Sequence, residues 1–504
     1  MNGAEYHLDT WTLHLLQQAA QFFGENQRQA YVVGGSVRNI LLNTSHTDWD
    51  IVVNGDAAGL ARRLADRLGG HYASMHDKAS RVVVKHEQQE TIFDISSLHG
   101  KSTEADLRER DFTINAMAIP LPNLVDHFTT GQPLQLIDPL NGAADLAAGC
   151  LKAVDKDVFK HDPLRMLRAV RQAMRYSLTI DRGTESLIIR DASLLPQVAP
   201  ERIHDELYAI LGPDGASERL HALDNYGLFT TLIPEFMPAR GMPQPELHHW
   251  DVFEHSIESP SGLERIATVL QQTEEEIRQS PLADSQDNLV EISRLLYEAG
   301  QQGIFSFARL TSPAMKIAAL LHDIGKPPTY TVDNEGTIRF YGHPQVGISL
   351  AQQIMKRLSA STQDRRLVQQ VVAHHMRPGQ LSQDSVTQRA VRRYFVDLGP
   401  VGIYVALIAM ADHLAMRGPD PLTILWERLL ATVRLLLTRY IRERQSIMPP
   451  RLLDPEELMR RFNLAPGPLV GQLLEYIADA QTEGIVHSKA DALWLVEERL
   501  NQTN

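Results

Sequence analysis

Between Ala30 and Pro120 the hydrophobic period changes every few residues, and that constrains the fold more than any other feature. Short β-rich runs (YVV, WDIVV, RVVVKH, TIFDISS) alternate with helical stretches such as AAGLARRLADRLGG, the pattern of a small mixed α/β domain. After Asp138 the strand signals fade and helical periodicity dominates. A leading helix is expected from about Asp9 to Phe23, where Trp11, Leu15, Leu16, Ala19, Phe22 and Phe23 recur at helical spacing.

A chain of 504 residues exceeds what one core serves, so several domains are expected. With 43% hydrophobic and 22% charged residues it reads as soluble and globular. The single cysteine, Cys150, excludes a disulfide framework and a Cys-rich zinc site, and fits a reducing cytoplasm. The opening MNGAEYHLDTWTLHLLQQ lacks the basic start and apolar core of a signal peptide. The longest apolar run, VGIYVALIAMADHLAM, is broken by Asp412 and His413 and is too short to span a bilayer, so no membrane partner is expected. A net charge of −13 argues against a generally basic surface, but nucleic-acid affinity follows local charge, and the arginines are gathered.

The stretch YVVGGSVRNILLNTSHTDWDIVV covers residues 31–53. In an extended strand Asp48, Asp50 and Val52 share one face, and Trp49, Ile51 and Val53 the other. Same-face carboxylates repel unless a cation sits between them, and hard oxygen ligands suit Mg²⁺. An isolated D-x-D is more often a solvated strand end. Here, however, Gly34 and Gly35 follow a β-run, with Ser36 expected as the N-cap of a helix through Val37, Arg38, Ile40 and Leu41. Glycines allow close backbone approach, N–H groups at a helix start attract phosphate, and Arg38 adds a forked cation.

Asp162-Pro163 reads as N-cap and first helical residue. Arg165, Arg168, Arg171 and Arg175 then fall on one helix face, and Leu164, Leu167, Val170 and Met174 on another. This describes an amphipathic surface helix, yet no acid accompanies the arginines along it, so they repel one another unless anions arrive. Further on, AALLHDIGKP sets His322 and Asp323 late in an apolar helix, where polar groups need partners or a metal. A lone His-Asp pair is more often structural, but His255 (DVFEHS), His343 (FYGHPQVG), His374 and His375 (VVAHHMRP) and Asp412 are candidates to join it. Between the histidine motifs, residues 259–302 are polar and helical in tone; MPPRLLDPEE precedes a last helical piece, about 453–500.

These residues carry a resemblance. GGSVR with DWD resembles motif A of the class II tRNA nucleotidyltransferases, the CCA-adding enzymes and bacterial poly(A) polymerases of the polymerase-β superfamily. LRERDFTINAMA (107–118) resembles motif B, LIDPLNGAADLAAGCLKAV (136–154) motif C, FKHDPLRMLRAVRQAMRYSLTID (159–181) motif D, and ERIHDELYAIL (201–211) motif E. Five motifs in order over some 180 residues are far more specific than one. The histidine set resembles an HD domain, a helical phosphohydrolase scaffold.

The resemblance implies an α+β fold: a polymerase-β-like head of mixed sheet and helices, then a mainly helical neck, HD domain and tail. Its expected divisions are an N-terminal helix (1–29), head (30–150), neck (151–240), HD domain (241–445, with an insertion near 259–305) and tail (446–504). It implies CMP and AMP addition to the tRNA 3′ end without a template, with ATP, CTP and tRNA as partners. Asp48 and Asp50 would hold two Mg²⁺ ions, with Asp94 of TIFDISS a candidate third catalytic carboxylate. Nucleotide would be bound by Gly34, Gly35, Ser36, Arg38, Arg110, Asp111, Asn115, Asp162, Arg165, Arg168 and Arg171, with Asp162 and Arg165 addressing the base. His255, His322, Asp323 and Asp412 would bind a transition metal in the HD domain, and His343 and His374 a second metal or the phosphate. His161 stands where the family pattern has glutamate, and Asn39 where it often has aspartate. Poly(A) synthesis and partial CC- or A-addition share motifs A to E. A further alternative is an HD phosphohydrolase whose head serves only to bind RNA.

Overall fold

The structure, a computed structural model, describes residues 6, 8–76, 79–100, 102–383 and 385–502. It divides into two compact units: residues 1–199 with 225–231, and residues 200–224 with 232–504. The segment expected as a neck, 151–240, is shared between them.

The first unit is built on a six-stranded sheet in the order β3-β4-β5-β2-β1-β6. The strands are β1 (Ala30–Val33), β2 (Asp48–Val53), β3 (His71–His76), β4 (Ala79–His86), β5 (Gln89–Ser97) and β6 (Ala118–Pro120). β2 and β5 run parallel while their other neighbours pair antiparallel. The expected alternation holds in β2: Trp49, Ile51 and Val53 are fully buried on one face. The other face begins with Asp48 and Asp50 and turns apolar at Val52, which packs with Val33, Leu107, Ala116 and Ala118. The acids thus occupy the uncovered end of an otherwise buried strand.

Helix Thr10–Glu25 starts where Asp9 accepts a hydrogen bond from the Thr12 amide at 2.9 Å, and it buries Leu15, Leu16, Ala19, Phe22 and Phe23. Helix Ala57–Leu68 is capped by Asp56 and stopped by Gly69, whose φ of +66° favours a residue without Cβ.

Among the described residues, the second unit is helical apart from a short hairpin, Thr331–Val332 with Ile338–Arg339. Its central helix, Val401–Arg417, is buried along nearly all its length and packs against helix Val252–Leu270. The expected insertion is largely core: Val252–Leu270 continues through it, and helix Asn288–Gln301 buries Leu289, Val290, Ile292, Leu295, Leu296 and Ala299. Apart from Glu264, which is buried and paired with Lys316 at 2.7 Å, its charged residues lie on the outer faces, which gave the segment a polar tone. The last three helices, Pro455–Phe462, Pro468–Thr482 and Lys489–Asn501, close around Leu458, Leu473, Ile477, Ala492 and Val496. Among the described residues, no single helix is long and apolar enough to cross a membrane.

Candidate functional site

The parallel pairing of β2 with β5 sets Asp50 directly beside Asp94 in register. The β1–α turn lies next to them. Gly34 has φ +64°, and a Cβ there would stand 2.7 Å from Arg110 Nη1; one on Gly35 would stand 3.4 Å from Asp50 Oδ2. The glycines therefore make room for the Arg110 guanidinium and the Asp50 carboxylate against the backbone. Ser36 is not the N-cap. Gly34 takes that place, because its left-handed φ makes the turn, and Ser36 lies inside helix Gly35–Leu41. Its hydroxyl instead donates to the Asp48 carbonyl (3.2 Å) and accepts from the Asp50 amide (2.9 Å), tying the turn to β2. Burial pushes the Asp50 carboxyl up, opposed by Arg110 and reinforced by Asp94 and Asp48, so a cation would be drawn to this strand end.

Asp48 and Asp50 fit a hard divalent cation. Asp94 is held otherwise: Arg81 donates to both its oxygens at 2.8 Å.

Arg38 does not reach out of the turn. It is 7% exposed and donates to Asn115 Oδ1, to Gln172 Oε1 (3.4 Å), to Asn39 Oδ1 (3.2 Å) and to the Tyr176 hydroxyl (2.6 Å). Asp111 and Asn115 are buried with it, and Asn115 Nδ2 donates to Asp111 Oδ1 at 2.8 Å. Arg38, Asn115 and Asp111 thus form one buried hydrogen-bonded group.

The arginine helix spans Arg165–Tyr176. Asp162 precedes it in an extended conformation and accepts from the Leu164 amide at 3.2 Å; the residues between form a turn, so the helix begins later than expected. The missing counter-charge comes from another element: Asp111 of motif B accepts from Arg168 Nε at 2.9 Å. Burial works against the Asp111 charge, but Arg168 and the Asn115 hydrogen bond outweigh it and hold the carboxyl below its usual range. Arg165 donates to the Glu109 and Arg110 carbonyls at 2.8 and 3.2 Å. Arg110 donates to Asp106 Oδ2 at 3.3 Å, and Arg171 is half-buried on helix Arg165–Tyr176. Sequence reading missed Arg81, Gln172 and Tyr176. Gln172 lies seven residues after Arg165 and four after Arg168, on the arginine face, with Tyr176 four further on, so the same spacing that gathered the arginines marks both.

In the second unit, one donor atom each from His255, His322, Asp323 and Asp412 converges within 4.8 Å, and a second group joins Asp323 to His343 and His375. His255 Nε2 faces His322 Nε2 at 3.2 Å, and His343 Nε2 faces His375 Nε2 at 3.3 Å. The opposite nitrogens of three rings are occupied: His322 Nδ1 donates to the Ala319 carbonyl (2.6 Å), His343 Nδ1 to Phe340 (2.9 Å) and His375 Nδ1 to Val372 (2.9 Å). With Nδ1 of these three rings held by carbonyls, their Nε2 atoms converge on the centre as a donor set that suits metal ions. Asp323 spans both groups, with Oδ2 3.1 Å from His322 and Oδ1 3.3 Å from His343. Burial opposes protonation of His322, but Asp323 and Asp412 overcome it and raise its pKa to about 10.

His375, and not the expected His374, is the ring that groups with Asp323 and His343. Consecutive helical residues differ by about 100°, and His375 is 1% exposed while His374 is half-buried near Arg377. Lys326, one turn beyond Asp323 in HDIGK, was also missed; its Nζ lies 2.6 Å from Asp323 Oδ2.

Three family models match: the poly A polymerase head domain over residues 30–152, a probable RNA and SrmB-binding site of polymerase A over 177–240, and the HD domain over 299–417. The last leaves His255 outside. The A-adding tRNA nucleotidyltransferase of Deinococcus radiodurans is 31% identical over 94% of this chain and 96% of its own. The CC-adding tRNA nucleotidyltransferase of Thermus thermophilus is 29% identical over 92% of each chain. Among solved structures, a CCA-adding enzyme in apo form superposes with a TM-score of 0.63 at 20% identity, covering 97% of this chain and 95% of that one. The Thermotoga maritima CCA-adding enzyme complexed with tRNA gives 0.58 at 21% identity, covering 98% and 96%. Motifs A to E in order, a head with the acids at an open strand end and likeness along nearly the whole chain lead to one conclusion: this enzyme belongs to the tRNA nucleotidyltransferase family.

Proposed function

We propose that this enzyme adds CMP and AMP to the 3′ end of tRNA, using CTP and ATP without a template strand. The observation that carries the reading is the Asp48/Asp50 pair at the uncovered end of β2, beside a Gly34–Gly35 turn whose backbone the Arg110 guanidinium and the Asp50 carboxylate approach closely. Two Mg²⁺ ions held by Asp48 and Asp50 would activate the RNA 3′-hydroxyl and steady the leaving pyrophosphate. The Gly34–Gly35 backbone and Arg110 receive the triphosphate. Asp162 accepts from the amino group of cytosine or adenine, and the face bearing Arg165, Arg168 and Arg171 holds the base side of the nucleotide. Asp94 joins the pair as a third carboxylate when Arg81 releases it. A tRNA substrate and a single free cysteine, Cys150, support a cytoplasmic setting for this work.

A tRNA lacking its terminus, and the same tRNA ending in -C or -CC, incubated with each labelled nucleotide in turn, tests the reading. Addition of two C and then one A is expected; a lengthening A-only tail would overturn it. A second reading, A-addition alone, is favoured by the A-adding Deinococcus relative that matches almost end to end. It requires labelling of the -CC substrate by ATP and no labelling of the shorter ones by CTP.

In the second unit, His255, His322, Asp323 and Asp412 hold one transition-metal ion, and Asp323, His343 and His375 a second, as a phosphohydrolase centre. Metal analysis of the purified enzyme, with phosphate-ester hydrolysis before and after chelation, tests it; no bound metal and no hydrolysis on metal addition would overturn it.

A further inference from the structure

A buried polar chain joins the arginine helix to the Gly34–Gly35 turn. Gln172 is 4% exposed, and its Oε1 accepts from Asn115 Nδ2 at 3.0 Å and from Arg38 Nη1 at 3.4 Å. One turn on, the Tyr176 hydroxyl accepts from Arg38 Nη2 at 2.6 Å, and its ring lies against the same guanidinium, 4.2 Å from centroid to Cζ. Asn115 continues the chain to Asp111, and Asp111 to Arg168. Arg38 belongs to the short helix that the glycine turn begins.

Buried polar groups are costly unless each finds its partners, and an apolar side chain at 172 would fill the same space without that demand. What the polar chain supplies is register: a hydrogen-bonded network has one arrangement, whereas an apolar contact slides. The elements it joins hold opposite ends of the nucleotide in the proposed reaction, the base on the arginine helix and the phosphates at the turn.

We infer that Gln172 and Tyr176 are positioning residues for nucleotidyl transfer, setting through Arg38 where the base-reading helix stands relative to the phosphate turn and the Asp48/Asp50 pair. The inference rests on the proposed nucleotidyl transfer. A misplacement of about 1 Å between reacting groups costs about 100-fold in rate, so these residues govern nucleotide use and leave tRNA affinity alone.

Three variants test it. Gln172→Met removes the acceptor at similar volume, Gln172→Glu keeps an oxygen for both donors, and Tyr176→Phe keeps the ring and deletes the hydroxyl. Each is assayed for kcat and KM with CTP, ATP and tRNA, for misincorporation of UTP and GTP, for equilibrium binding of CTP and ATP, and for thermal melting. Gln172→Met is expected to lose about 10- to 100-fold in kcat/KM for nucleotide, with raised misincorporation and unchanged KM for tRNA. Tyr176→Phe follows in the same direction, while Gln172→Glu restores nucleotide binding and turnover to within about threefold. Equal loss in the Met and Glu variants, losses that track melting temperature alone, or a Met variant with normal nucleotide use would overturn the inference. Wild-type enzyme that adds no nucleotide to tRNA would refute the proposed function instead; the nucleotide-binding comparison of Met with Glu then still decides the positioning role.

Discussion

Replacing Arg168 with alanine exposes how the head tolerates a buried charge. Asp111 is 6% exposed and keeps the Asn115 hydrogen bond and its own contact with the Phe112 amide, but it loses the guanidinium 2.8 Å away. Breaking a buried pair by removing one partner costs about 3–5 kcal/mol. The Arg168 side chain is 36% exposed, so solvent screens part of that attraction, and the lower end, about 3 kcal/mol, is expected. At about 1.4 kcal/mol per factor of ten, amides around Asp111 and along the arginine helix should exchange hydrogen about 100-fold faster. The sign with pH follows. In the wild type the Asp111 pKa is depressed, so its contribution is complete above the unfolded value of about 4 and is lost as pH falls through the folded one. Without Arg168, burial dominates and the carboxyl rises, so the variant is most weakened near pH 7–8 and recovers as acid neutralises Asp111. Hydrogen exchange by mass spectrometry on both proteins at pH 7.5 and 5.5, corrected for intrinsic rates, measures this. A variant within about threefold of wild type at pH 7.5, or a gap that widens at pH 5.5, would refute the reasoning.

Replacing both Asp48 and Asp50 with alanine should abolish nucleotide incorporation and leave any phosphate-ester hydrolysis intact, while His322→Ala and Asp323→Ala do the reverse; paired assays of each variant read this out. Gly34→Ala forces a Cβ to 2.7 Å from Arg110 Nη1 at a φ of +64°, and should cost about 1–2 kcal/mol in strain together with a raised KM for nucleotide, seen by melting and kinetics. His375→Ala should lower the metal content of the HD centre where His374→Ala does not, by elemental analysis. Because His322 is protonated below about 10 in the metal-free centre, metal binding there should release a proton and tighten about tenfold per pH unit through neutrality, measured by calorimetry in buffers of different ionisation enthalpy.

Local chemistry determined much of this protein. Strand alternation placed Trp49 and Ile51 inside and Asp48 and Asp50 outside, because side-chain direction in a strand follows from sequence parity alone. The glycine pair announced a turn, and the order of motifs A to E with the scattered histidines named the two centres. Tertiary structure decided which groups are free to act. Arg38 and Arg168 carry the same charge and the same local signature as any phosphate-binding arginine, yet their partners Asn115, Gln172, Tyr176 and Asp111 come from segments distant in sequence. His374 and His375 are adjacent letters, and only the packing of their helix shows which ring turns toward Asp323. A sequence specifies the chemistry of each side chain and its nearest neighbours; the partner that occupies or releases that chemistry arrives through folding.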